Sequence, residues 1–155
     1  MPKIVCNIIE VCVFKFENKE PLYLMLRRSH TETLYPDAWQ IVTGSIEPGE
    51  TAVQGALREL KEETGYIPAK FWVVPHVNTF YSAQSDAVNH TVVFAAQIDP
   101  TQDVSLSQEH SQYGWYAIET AKAKCVWPGQ VNALDVVHEY IVRGKEASSL
   151  SEITL

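Results

Sequence analysis

Residues 44–66, GSIEPGETAVQGALRELKEETGY, constrain the architecture of this chain more than any other segment. The run opens on a turn marked by Gly44, Pro48 and Gly49 and continues as an amphipathic helix. A helical side chain advances about 100° per residue, which aligns Val53, Ala56, Leu57 and Leu60 as a core stripe. Glu59, Glu62 and Glu63 are expected on a separate arc. Thr51 and Gln54 fit a capping box at the start, and Gly65 fits the stop position, with Pro68 soon after. The acidic arc therefore lies in the last turns, against the negative end of the helix dipole. Like charges at these spacings destabilise a bare helix by roughly 0.2–0.5 kcal/mol per pair. Spacing alone admits two readings, a solvated acidic face or a set of oxygen ligands for a hard divalent cation. Carboxylates placed where stability would favour Lys or Arg weigh towards function.

In this register the segment resembles the Nudix box: G, five residues, E, seven residues, then R-E-aliphatic-x-E-E-x-G-aliphatic. The chain supplies Gly44, Glu50, Arg58, Glu59, Leu60, Glu62, Glu63 and Gly65, with Tyr66 in place of the last aliphatic residue. The resemblance implies a hydrolase that directs water onto phosphorus within a diphosphate, assisted by Mg²⁺ or Mn²⁺. It assigns the metals to Glu59, Glu62 and Glu63 with the Gly44 carbonyl, and an orienting ion pair to Glu50 and Arg58. The physical logic agrees, because a pocket of carboxylates repels a polyphosphate until cations bridge the two. The net charge of −7 is thus compatible with a phosphate substrate.

At 155 residues, 46% of them apolar, the chain suits a single domain with one core. We expect that domain over residues 1–144 and a loosely ordered, Ser-rich tail over 145–155. The pI near 5.2 and the lack of Lys/Arg runs argue against long DNA or RNA as partner. No run reaches the roughly 20 apolar residues that span a bilayer, and the apolar start reads as a core strand rather than a signal peptide. The three cysteines form no CxxC pair. Cys6 and Cys12 would lie about 20 Å apart on one strand, too far to bridge. Buried free thiols in a reducing cytoplasm are expected, in a monomer or homodimer.

The rest of the chain reads as mixed α/β. Strands are expected over 4–16 and 22–28, a loop over 29–37 and a short strand over 39–43. A β-rich stretch follows over 69–81, with Pro75 marking a bend or an edge. Loops are expected over 82–89 and 99–111, strands over 90–98 and 113–118, and a closing amphipathic helix over 130–142. This order suits an α/β/α sandwich around a mixed central sheet, the fold that the Nudix resemblance also implies.

Outside the box, Glu109-His110-Ser111-Gln112-Tyr113-Gly114-Trp115 resembles a stretch of two Nudix subfamilies, the dihydroneopterin triphosphate/dATP diphosphatases and the asymmetric diadenosine polyphosphate hydrolases. There a Glu of this region joins the metal site. Glu109 is therefore a candidate ligand or general base, a role also open to Glu59 and Glu62. His110 is a candidate to orient Glu109. Arg27 and Arg28 end a strand, and one of them is expected to meet phosphate oxygens, surface charge being the alternative. Trp39 either stacks on a base or pterin or fills the core. Gln40 either reads a heterocycle edge or decorates the strand. Tyr81 and Trp127 are further stacking candidates.

Residues 39–51 and Val126-Trp127 resemble the dATP/dihydroneopterin triphosphate type. Val42-Thr43-Gly44 departs from the Pro-Lys-Gly usual in diadenosine hydrolases. The expected activity is release of pyrophosphate from a small nucleoside or pterin triphosphate. The alternatives are diadenosine polyphosphate cleavage and a non-catalytic nucleotide-binding module.

Overall fold

A computed structural model describes residues 1–155. Its axis is β1 (Lys3–Glu17), which runs parallel to β6 (Ala87–Gln97) along most of its length. On its other side β1 pairs antiparallel with β2 (Glu20–Arg28) at one end and with β4 (Val42–Ser45) further back. β3 (Trp39–Gln40) and β7 (His110–Tyr116) add to β2, and β5 (Lys70–Ser82) adds to β6. A two-residue β8 (Glu152–Ile153) pairs with β5, completing a mixed eight-stranded sheet.

Strand side chains alternate between faces, and this sheet buries both. Val11, Val13, Leu24, Leu26, Phe94 and Ala96 face α1 (Ala52–Thr64). Their neighbours Cys12, Phe14, Tyr23, Met25, Val93 and Ala95 face α2 (Ile118–Lys124) and α3 (Pro128–Val136). α3 runs on into a π-helical stretch, Val137–Val142, which buries Val137 and Ile141. The helix–sheet–helix layering expected from the sequence is present, and runs apolar on both faces follow from it.

Several local expectations need correction. α2 occupies part of the region expected to be strand, because β7 stops at Tyr116. The loop expected over 82–89 shrinks to a turn between Ser82 and Ala87, since β6 begins early to pair with the first residues of β1. Pro75 sits where the β5–β6 register shifts between Val73 and Val77, consistent with its missing N–H. Residues 145–155, expected to be loosely ordered, carry α4 (Lys145–Ser151) and β8, and Ile153 packs on the α1-side core. Cys12 is buried and Cys125 half-buried, but Cys6 is exposed, contrary to the expectation of three buried thiols. No helix is long and apolar enough to cross a membrane.

Candidate active site

α1 begins and ends on local chemistry. The Thr51 hydroxyl accepts from Gln54 N, and the Gln54 side chain accepts from Thr51 N, closing the capping box. Gly65 takes the left-handed conformation (φ 76°) that a Cβ would disfavour, and its N–H bonds Lys61 O. Between these ends Ala56 and Leu60 are fully buried, whereas Val53 and Leu57 are only partly so. Glu63 does not stay on the solvent arc: it is 2% exposed. It lies seven residues from Ala56, two turns on and only about 20° around the helix, so it belongs to the edge of the core stripe. The acidic arc thus tilts from exposed Glu62, through largely covered Glu59, into the protein at Glu63.

Arg58 organises the outer part of this patch. Its Nε and Nη2 grip both oxygens of Glu50 at 2.7 and 3.0 Å, and Nη2 also reaches the Ser45 carbonyl at 2.8 Å. Glu50 further accepts from Glu47 N. The Arg58 guanidinium, with that backbone donor, holds the Glu50 carboxyl down at about 2. Arg58 Nη1 turns the other way, to Glu59 at 2.9 Å and Glu62 at 3.2 Å. The guanidinium offsets part of the mutual repulsion of the glutamates. It also draws Glu59 and Glu62 to itself, and no three acidic, His or Cys side chains converge at metal-ligand spacing in this arrangement.

The inner part lies where α1 meets β4 and the residues before β7. Gly44 pairs with Ile9 across β4 and β1. A Cβ at Gly44 would overlap the Glu59 carboxyl, so the missing side chain is what lets that carboxyl lie on the strand. Burial pushes the Glu59 carboxyl up, although Arg58 opposes this. Burial pushes Glu63 up well beyond the usual carboxylate range, reinforced by the charges of Glu59 and Glu109. Arg28 and the Thr43 N–H pull in the other direction. Glu63 Oε2 is buried without a hydrogen-bond partner. Such a group is costly to leave unpaired. A hard cation ligated by carboxylate oxygens would satisfy it, and the donors gathered here (Glu59, Glu63, Glu109 and the bare Gly44 backbone) are all oxygens of that kind. The residues present fit a divalent cation.

Arg27 and Arg28 are both engaged with the loop that follows them. Arg28 donates to Leu34 O at 2.7 Å and Glu32 at 3.2 Å, while sitting close enough to Glu63 and His110 to influence both. Arg27 pairs with Asp37 at 3.2 Å and donates to Gln112. Gln40 is buried and lies 3.3 Å from His110 Nε2. Burial and Arg28 push the His110 imidazole down to about 4, which keeps it neutral beside Glu109. Trp39 packs edge-on against Tyr116 under the Lys124 ammonium, lining an open groove of about 380 Å³ with Gln112 and Tyr113. Tyr81 donates to Asp86 within the β5–β6 hairpin, away from the glutamates. The structure therefore gathers Gly44, Glu59, Glu63, Glu109 and Arg28, with Glu50, Arg58 and Glu62 at the rim. Tyr81 stands apart.

Two features escaped the sequence reading. Glu10, 4% exposed, accepts from Gln130 Nε2 at 3.1 Å across the face that carries α3, and the same Gln130 nitrogen donates to Thr43 Oγ1 at 3.2 Å. Burial raises the Glu10 carboxyl. Its signal was present: a lone acid at the same strand parity as Cys12 and Phe14. The second is Tyr35, in the loop between β2 and β3, whose ring meets Trp127 edge-on at 4.9 Å.

Comparison with known proteins bears on this arrangement. A family model described as the NUDIX domain matches residues 7–137. The chain is 30% identical over 122 residues to an octanoyltransferase of Myxococcus xanthus, covering 78% of this chain and 33% of that protein. It is 30% identical over 101 residues to an asymmetrical bis(5'-nucleosyl)-tetraphosphatase of Caenorhabditis elegans, covering 64% of this chain and 70% of that one. It is 46% identical over 55 residues to the dihydroneopterin triphosphate diphosphatase of Escherichia coli K12, covering 36% and 34%. The chain thus spans only about a third of the length of the first and third of these relatives. The solved E. coli dihydroneopterin triphosphate pyrophosphohydrolase superposes with a TM-score of 0.72 at 26% identity, over 88% of this chain and 94% of that one.

Proposed function

This chain belongs to the NUDIX domain family and is a hydrolase, and from that premise we propose that it cleaves a small nucleoside or pterin triphosphate within the phosphate chain, releasing pyrophosphate. The observation that best supports the reading is Glu63, a buried carboxyl with an unpartnered oxygen, set against Glu59 and Glu109. A protein built only for stability gains nothing from that cluster. The similarity to the E. coli dihydroneopterin triphosphate enzyme, in fold and in the box segment, supports the substrate class.

In this reading Glu59, Glu62 and Glu63, with the Gly44 carbonyl, would hold Mg²⁺ or Mn²⁺. The cation, when bound, supplies charge neutralisation of the diphosphate and lowers the pKa of the attacking water. The protein's own groups do the rest. Glu50 keeps Arg58 fixed beneath the patch, so the Arg58–Glu59 and Arg58–Glu62 contacts set where those carboxylates rest. Glu109, close to Glu63, is placed to accept the proton of the water, a role Glu59 or Glu62 fills equally if nearer to it. Neutral His110 and Gln40 form the buried support behind Glu109. Arg28 adds positive charge at the same corner for phosphate oxygens.

Phosphorus NMR of the products formed in ¹⁸O-labelled water, with a panel of nucleoside triphosphates and dihydroneopterin triphosphate plus Mg²⁺, tests the reading. Pyrophosphate and a monophosphate are expected, and Glu62→Gln and Glu63→Gln should each lower the rate by on the order of 100-fold or more. Full activity of Glu63→Gln would remove the assigned role. A second reading, cleavage of a dinucleoside tetraphosphate, has the Caenorhabditis elegans relative in its favour. ATP plus AMP from diadenosine tetraphosphate, at higher kcat/KM than any triphosphate, would put it first.

A further inference from the structure

We propose that Tyr35 and Trp127 form an aromatic clamp that closes on the planar heterocycle of the substrate, with Tyr35 on the moving jaw. The inference rests on the phosphate-chain hydrolase reading above and adds to it where the ring is held. Both side chains are unusually open for their size, Tyr35 at 49% and Trp127 at 39% exposure, yet their rings meet at 4.9 Å, inclined by 68°. Two half-exposed aromatics that cover each other present the faces a flat ring would stack upon.

The jaws sit on unlike supports. Trp127 is the residue before α3, where Gln130 N and Val131 N both bond its carbonyl. Tyr35 rides on the loop between β2 and β3 with φ 50°, and Asp37 two residues on has φ 63°. Neither residue gains from the left-handed region as glycine does, so the loop holds backbone strain at the residue that carries the ring. The loop is tethered at its base and free at its tip. Ser29 N and Oγ bond Glu109 O and Gln108 O at 2.8 and 2.7 Å, and Asp37 is tied to Arg27, His30 and the Arg28 carbonyl. Leu34, beside Tyr35, is exposed.

Both jaws connect to the acidic corner. From the loop, Ser29 reaches Glu109, and Arg28 lies beside Glu63. From α3, Gln130 reaches Thr43, the neighbour of Gly44, at 3.2 Å. A ring held between Tyr35 and Trp127 would therefore lie within one or two residues of both walls that frame the diphosphate. The chemistry selects a planar, polarisable ring attached to a phosphate chain, a purine or a pterin. It offers little to an unsubstituted polyphosphate.

The test reads ring binding apart from hydrolysis. AMP and dihydroneopterin, titrated without divalent cation, are expected to quench tryptophan fluorescence of the wild-type protein. Trp127→Phe should abolish most of that quenching, and Tyr35→Ala should weaken the apparent Kd about tenfold, with Tyr35→Phe close to wild type. In turnover with Mg²⁺, Tyr35→Ala should raise KM about tenfold with a much smaller change in kcat, a split that a folding defect would not produce. Quenching that survives unaltered in Trp127→Phe and Tyr35→Ala, or a KM unmoved by either, overturns the clamp while leaving the hydrolase reading intact. Quenching lost in the variants supports the clamp even if no triphosphate is hydrolysed, in which case the hydrolase reading fails alone.

Discussion

Glu50 and Glu63 belong to one acidic motif and have opposite electrostatics. Glu50 is paired twice with Arg58, and its carboxyl is held at about 2. Its folded value lies below the unfolded value of about 4.5, so its contribution to stability is complete above pH 4.5 and is lost as the pH falls towards 2. Thermal unfolding followed by circular dichroism should show this directly. Glu50→Gln should have a lower Tm at neutral pH and a shallower fall in Tm between pH 4.5 and 2 than the wild type. Parallel acid limbs would mean that the pair contributes nothing. Glu63 runs the other way: its raised value means that ionising it in the folded protein is unfavourable, a burden relieved by a cation. The Glu50–Arg58 pair was legible in the sequence because both partners belong to one local motif. The burial of Glu63 was less so. The helical wheel put it at the boundary of the core stripe, and only packing against β4 and the residues before β7 decides such a boundary.

At the scale of elements, α1 was read almost to the residue because its ends are written locally, in Thr51, Gln54 and Gly65. Its interior depends on the sheet. Leu60 is fully buried against the β-sheet, so Leu60→Ala should cost roughly 2–5 kcal/mol. Val53→Ala, at a partly buried position, should cost clearly less. Urea unfolding of the two variants measures both, and equal losses would contradict the packing described. α2 was not legible, since seven residues give barely two turns of periodicity and only Ala121 is buried. The early start of β6 was hidden for a related reason: Ala87 and Asn89 carry no strand signal, and pairing with β1 and β5 places them there.

Over the whole molecule, the parts that make a site are distant in sequence. Gln130 reaches Glu10 across 120 positions, and Gln40 reaches His110 across 70. No local pattern announces such pairs, which is why the box was readable and the second wall of the cleft was not. The same applies to the end of the chain. A polar, Ser-rich composition suggested loose order, yet β8 finishes the sheet by covering Phe71 and Trp72 of β5. Removing residues 145–155 should therefore lower Tm and promote concentration-dependent association through the lengthened β5 edge, visible by light scattering. Magnesium uptake by the α1 glutamates, followed by calorimetry, should persist in the same truncated chain. A truncation as stable and monodisperse as the full chain would show that the strand is ornamental.

Gly44 gives position 44 an unusual vulnerability. The smallest lesion available to a protein, one added methyl, would wedge between strand and carboxylate there while leaving the surrounding hydrophobic interior undisturbed. Heredity has almost no latitude at that spot, and a bench scientist has a fine scalpel for separating grip from turnover.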